Sequence, residues 1–311
     1  MKSKPGPSGQ LQLFPTTADA PPKPRRGRPP KALKFLTAPD AGLLAGIDDV
    51  SAYLHSGLCQ TALPHTRPQR DDEIWVRRGL GATLWVTPGY ARRKEGAEPT
   101  QVGVPFGNKG RLILIYLQTL GVISPVVPLG SSMSAWMRSL GMKVTGGERG
   151  TIADVKEQVL RIANCSLIIE MTQANAGGGV ATRLDRTAIA KGLQMWADKP
   201  GATNWPTELT LDHEFHLHLR ENAVTLDKAA VAQLSANSLA LDIYASLAHW
   251  LPRISSPTPM GWATLVRAFG SDGEATFTFG RRLRKVLPAV SEAYKDARVE
   301  VGRTGIIMHP S

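Results

Sequence analysis

Residues 108–122 read NKGRLILIYLQTLGV, and the spacing of their apolar side chains decides how the rest of the chain is read. Leu112, Ile115, Tyr116, Leu117 and Leu120 recur at helical intervals, so the stretch predicts a helix with a broad apolar face. Downstream lies SSMSAWMRSLGM, in which Ser131 or Ser132 can cap a second helix. Met133, Trp136, Met137 and Leu140 then face inward, and Gly141 ends it. After a turn at Gly146–Gly147, TIADVKEQVLRIANC predicts a longer helix with Ile152, Val155, Val159 and Ile162 on one side. SLIIEMTQ and VATRLDR follow as two strands joined by the flexible Ala176–Gly179. Helix, helix, turn, helix and hairpin is the order of a winged helix-turn-helix.

The same order comes round again. A helix is expected over Thr210–Glu221, then a strong amphipathic one over Asn237–Pro252 with Leu239, Ile243, Leu247 and Leu251 inward. Trp262, Leu265, Val266 and Phe269 mark a short helix closed by Gly270. A third helix over Phe277–Ala293 carries Arg281, Arg282, Arg284 and Lys285, with Pro288 expected to kink or end it. ARVEV, GRTG and IIMHP complete a hairpin. The expected fold class is mainly α with small β-hairpins (α+β), built as two tandem winged helix-turn-helix domains behind a disordered N-terminal tail. The boundaries fall at 1–34 for a disordered basic tail, 35–104 for an N-terminal extension with short strands, 105–205 for the first winged helix and 206–311 for the second. In the extension, Trp75–Val76 and Leu84–Val86 read as strands around the Gly79/Gly81 turn, with no role assigned.

Composition narrows the class. The 311 residues are 42% hydrophobic, which suffices for a buried core, and 37 Lys plus Arg outweigh 26 Asp plus Glu to give +11 and a pI near 9.9. Such a balance favours polyanions, nucleic acid before anionic membrane. The charge is uneven: eight basic residues and a single acid, Asp19, lie up to Lys34. Cys59 and Cys165 form no metal-type pair, and free thiols in a reducing cytosol are expected. No apolar segment follows the basic N-terminus as a signal peptide would require, and LILIYL is too short to span a bilayer.

PFGNKGRLILIYLQTLGV (Pro105–Val122), LGSSMSAWMRSLGM (Leu129–Met142) and SLALDIYASLAHWLPRISSPTPMGWATLVRAFG (Ser238–Gly270) resemble the plasmid-encoded RepA-type replication initiators. LCQTALPH (Leu58–His65) and the terminal GIIMHPS (Gly305–Ser311) fit the same family, and TrfA-type initiators are more distantly similar. The resemblance implies a non-enzymatic protein, free of cofactors, that binds repeated origin sites (iterons) through winged helices. It also implies opening of an adjacent AT-rich region, recruitment of host replication proteins and a monomer–dimer balance.

The candidate contacts follow from charge and placement. The third helices should enter major grooves, which nominates Arg149, Thr151, Lys156 and Arg161 in the first domain. In the second they are Thr276, Thr278, Arg281, Arg282, Arg284 and Lys285, with Arg303 at the wing tip. For any isolated Arg the competing reading is a solvated charge. In the tail, RRGRPPK looks like an AT-hook: Arg26 and Arg28 would lie along a narrow minor groove, Gly27 would permit close approach, and Pro29 and Pro30 would keep the chain extended. A solvated basic linker is the alternative. QLQLF resembles the bacterial sliding-clamp-binding pentapeptide, with Gln10, Leu11, Leu13 and Phe14 entering an apolar pocket. A chance apolar patch is its alternative. Host initiator and replicative helicase are further implied partners, and no membrane is.

Enzymatic readings find less support. HEFH at 213–216 is one residue short of the zincin HExxH, and no GxxxxGK[ST] is present. His216-Leu217-His218 matches the His-hydrophobic-His pair of rolling-circle nickases, but Tyr244 lacks the accompanying Lys and Tyr294–Lys295 lies near the C-terminus. Asp212 as a cap, with Phe215 and Leu219 four apart, predicts a helix on which ligands two apart diverge. A metal-dependent nickase and a winged-helix transcriptional regulator remain the alternatives.

Overall fold

The sequence of the helix Gly107–Gly121 explains why it lies at the centre: it is apolar nearly all round, and such a helix must be covered on every side. In the computed structural model, which describes residues 50–93, 97–147, 150–174, 180–195 and 205–311, all of residues 110–121 are buried.

The extension supplies β1 (Ser51–His55), α1 (Ser56–Cys59), β2 (Trp75–Arg78), β3 (Ala82–Thr87), β4 (Tyr90–Ala91) and β5 (Thr100–Gln101). The first repeated unit follows as α2 (Gly107–Gly121), β6 (Val126–Pro128), α3 (Met133–Ser139), α4 (Thr151–Asn164), β7 (Ser166–Ala174), β8 (Val180–Ala188), β9 (Ala190–Met195) and β10 (Pro206–Leu211). A connector of α5 (His213–Asn222), β11 (Ala223–Asp227) and α6 (Lys228–Leu234) leads into the second unit. This comprises α7 (Ser238–Trp250), a 3-10 turn (Leu251–Arg253), β12 (Thr258–Gly261), α8 (Trp262–Phe269), α9 (Thr276–Ala293), β13 (Val299–Val301) and β14 (Gly305–Met308).

Both units share one connectivity. A helix, a short strand, two helices and a hairpin are arranged so that the first strand pairs with the last: β6-β10-β9 in the first sheet, β12-β14-β13 in the second. This is the winged helix-turn-helix order, present twice in a mixed α and β chain. Local signals account for the starts and stops. Gly107 opens α2 at φ +69°, Ser132 caps α3 by accepting the Ala135 N–H at 3.2 Å, and Gly141 follows that helix at φ +68°. Gly305 lets β14 run close to β12, since any Cβ there would collide with the Met260 carbonyl.

Several expectations need correction. The β7–β8 hairpin is not the first wing. It pairs with the extension in a four-stranded sheet, β2-β3-β7-β8, because Leu84 and Val86 of β3 stand opposite Ile169 and Leu167 of β7 and all four are buried. The wing position is taken by β9–β10. Residues 205 and 206, expected to separate the two domains, therefore fall within that hairpin, and β10 belongs to the first unit's sheet. Thr210 and Leu211 are strand, not helix; α5 starts at His213, where Asp212 accepts the Glu214 and Phe215 N–H groups. Pro288 neither ends nor interrupts α9, which runs on to Ala293; Pro288 is exposed, so the carbonyl it leaves unpaired can meet water. The basic tail and the Ala176–Gly179 turn lie outside the described residues.

Candidate nucleic-acid interface

Helix α9 divides cleanly by side. Phe279, Leu283, Leu287 and Val290 enter the core, while Thr276, Phe277, Arg281, Arg284 and Lys285 face outward. Thr278 is half-buried at the first turn. Arg281 and Lys285 pair with no carboxylate among the described residues. Arg284 stacks over Trp262 of α8, its guanidinium carbon 4.7 Å from the ring centroid, and donates to the Gly302 carbonyl at 3.4 Å. Trp262 in turn donates its indole N–H to the Arg303 carbonyl at 2.9 Å. The third helix, the second helix and the wing are thus tied by one arginine and one tryptophan, and Arg303 stands exposed at the hairpin tip. Arg282 departs from expectation. It turns back to Glu274 at 2.6 Å, and Glu274 also accepts the Ser271 N–H, so Arg282 braces the loop leading into α9 instead of facing a groove.

The corresponding helix of the first unit is different. Arg161 is fully buried: it reaches Glu157 at 2.9 Å, the Val104 carbonyl at 3.0 Å and Asp71 at 2.7 Å, with its guanidinium over the Phe106 ring. It holds the extension to α4 and cannot contact DNA. Asp71 and Glu157 are partly desolvated, which works against their charge, yet hydrogen bonds and charge from Arg161 and its neighbours hold both carboxyls below their ordinary range. Thr151 is used internally, donating to the Lys143 carbonyl at 2.6 Å and accepting the Thr145 N–H at 2.9 Å. Lys156 is exposed, Lys109 pairs with Asp154, and Arg93 pairs with Glu157. Arg149 lies outside the described residues, as do Arg26, Gly27, Arg28, Pro29, Gln10, Leu11, Leu13 and Phe14. Among the described residues, α9 therefore presents three outward cations, Arg281, Arg284 and Lys285, and α4 only Lys156.

Between the units sits an arrangement that sequence reasoning missed. Arg111 of α2 makes two bonds of 2.6 Å to Asp242 of α7, and its remaining N–H groups go to the Pro64, Gly107 and Leu63 carbonyls. His65 lies beside them, bonded to Ser238 Oγ at 2.9 Å and to the Phe269 carbonyl at 2.6 Å. Burial pushes the His65 ring below its ordinary pKa, with Asp242 opposing. A neutral ring fits both bonds, its Nε2–H donating to the carbonyl and its Nδ1 accepting from the serine. Arg77 of β2 adds a further tie, reaching Asp272 before α9 at 2.9 Å.

The nickase geometry is not assembled. His216 and His218 lie on α5, not on a strand, and are buried; His216 Nδ1 is 2.7 Å from the Gly121 carbonyl, and His218 Nδ1 is 3.0 Å from His55 Nε2. Tyr244 accepts the Asp227 N–H at 2.7 Å and meets Tyr294 edge-on in the core. Among the described residues no group of three His, Cys, Asp or Glu could hold a metal ion, and no helix is long and apolar enough to cross a membrane. Both cysteines are buried free thiols, and burial raises Cys165 to about 12.

By fold the chain is a mixed α and β protein in which one order of helix, strand, two helices and hairpin occurs twice. Its family follows from comparison: the sequence profile described as plasmid encoded RepA protein matches residues 104–263. The chain belongs to this family of plasmid replication initiators. Among solved structures, the crystal structure of selenomethionine derivatives of domains 2 and 3 of RctB is similar at a TM-score of 0.50 and 13% identity, covering 82% of this chain and 96% of that one. A second crystal structure of RctB domains 2–3 gives a TM-score of 0.45 at 13% identity, over 81% and 93% of the two chains. At such identity the likeness is one of fold. No curated protein matches.

Proposed function

We propose that the protein starts plasmid replication by binding repeated origin sites (iterons) as duplex DNA, with α9 in a major groove and Arg303 reaching the backbone beside it. The observation that carries this reading is the outward face of α9, where Arg281, Arg284 and Lys285 converge while the opposite face fills the core. Phosphate contacts from such a face release counterions, so affinity falls steeply with salt. The first unit contributes Lys156 and its β9–β10 wing to a neighbouring stretch of backbone, and tethering the two raises the effective concentration of each. Binding energy, not catalysis, drives opening of the adjacent AT-rich segment.

The tail extends the reading. Arg26, Gly27, Arg28 and Pro29 would bind an AT-rich minor groove, and Gln10, Leu11, Leu13 and Phe14 would engage the bacterial sliding clamp. Host initiator and replicative helicase are the remaining partners, and self-association sets how much protein is available for binding. Footprinting of the purified chain on the DNA flanking its own gene tests the proposal. Protection of directly repeated sites at salt where random duplex is released is the expected result; equal affinity for both would overturn it.

A further inference from the structure

Phe277 is a large ring that the fold leaves in water. It is 77% exposed on the second residue of α9, whereas Phe279 is fully buried. Residues two apart on a helix point to opposite sides, so Phe277 shares the outward face of Arg281 and its neighbours. Threonines flank it on both sides, and the nearest upstream acids are already engaged, Asp272 by Arg77 and Glu274 by Arg282. A single exposed apolar side chain ordinarily needs no explanation. This one occupies the first turn of the third helix of a winged unit, the part that meets base edges when such a helix enters the major groove. The groove floor offers one apolar feature, the 5-methyl group of thymine, and Phe is among the side chains that contact it. A ring set among three cations suits the interior of a polyanion better than an apolar protein surface.

We infer that Phe277 packs against a thymine 5-methyl in the major groove and makes that position of the binding site thymine-specific. Arg281, one turn further along, holds the helix through a phosphate or a guanine edge. The inference rests on the DNA-binding reading above and names a determinant of its sequence preference.

The test uses the full chain and duplexes that it selects from a randomised pool. Each thymine of the selected site is replaced singly by deoxyuracil, which removes only the methyl group. One position should cost the unaltered protein about fourfold in affinity, the transfer value of one buried methyl. Phe277→Ala should bind the thymine duplex at least that much more weakly and be indifferent to the methyl at that position. Arg281→Ala should keep the methyl effect while lowering the slope of log affinity against log salt by about one. Because Phe277 packs into no core, Phe277→Ala should melt with the unaltered protein. Indifference of the unaltered protein to every replacement overturns the inference, as does a Phe277→Ala variant that still senses the methyl. A loss in Phe277→Ala with no uracil effect anywhere also overturns it, in favour of ring stacking. Failure to select any duplex would instead remove the DNA-binding reading itself.

Discussion

Arg161 and Arg281 both sit on the third helix of a winged unit, and their surroundings give them opposite tasks. Arg161 is enclosed by two carboxylates and a carbonyl, whereas Arg281 faces outward with no carboxylate among the described residues. Replacing Arg281 with Ala should lower the slope of log affinity against log salt by about one, with the melting temperature nearly unchanged. Titrations at three or more salt concentrations would read this. Arg161→Ala should instead destabilise the chain by roughly 1–3 kcal/mol, because it removes the buried fork and leaves the Val104 carbonyl unpaired, while Asp71 keeps Arg67 and Glu157 keeps Arg93. Arg161→Lys should recover little, since one ammonium cannot replace a fork that bonds three groups. Denaturant midpoints would separate these outcomes. Both arginines stand out in the sequence because charge on a third helix is visible in one dimension. What distinguishes them is Asp71, which lies 90 positions before Arg161 and reaches it only through the folded extension.

At the scale of elements, the two first helices are held by the bonds of Arg111 to Asp242. Either Arg111→Ala or Asp242→Ala leaves a buried charge uncompensated, and each should cost about 3–5 kcal/mol. The double variant should cost less than the two added together, and a double-mutant cycle in urea would give the coupling. Element order was legible because helical periodicity and caps are local properties: α2, α3, α4, α7, α8 and α9 all fall where the spacing of their apolar residues placed them. The wing of the first unit was not. SLIIEMTQ carries strong β-branched character and drew the hairpin assignment, while the sparser AKGLQM forms β9 and pairs with β10. Nor could the sequence show that β3 crosses to β7, since strand pairing at long separation leaves no periodic trace.

For the whole molecule, acid should weaken the fold before it affects any contact with a ligand. Burial holds His65 below its ordinary pKa and, with the charge of Arg253, pushes His249 down to about 3. The folded chain keeps these rings neutral, while the unfolded chain protonates them below about pH 6.5. Stability is therefore full above that pH and falls as the pH drops, by up to about 1.4 kcal/mol per unit for His249, with His65 adding to the loss. Urea midpoints measured from pH 7.5 to 5 should show the decline, and His249→Asn should flatten it. Asp71 and Glu157, held low by Arg161, extend the loss below about pH 4. The tail makes separate predictions. Leu13→Ala with Phe14→Ala should abolish capture by immobilised sliding clamp and leave origin binding intact. Arg26→Ala with Arg28→Ala should lower affinity for AT-rich duplex more than for GC-rich duplex.

The clasp of Arg111 on Asp242, with His65 bonded to Ser238 beside it, ties the first helix of one winged unit to that of the other. On the proposed DNA-binding reading, α9 on one side and Lys156 with the β9–β10 wing on the other would act as the jaws of a calliper, and the repeat would have to match that gauge. Five added base pairs, about half a helical turn, would rotate one half of the site to the far side of the duplex. A full turn would restore the facing side but leave it beyond the span of the jaws.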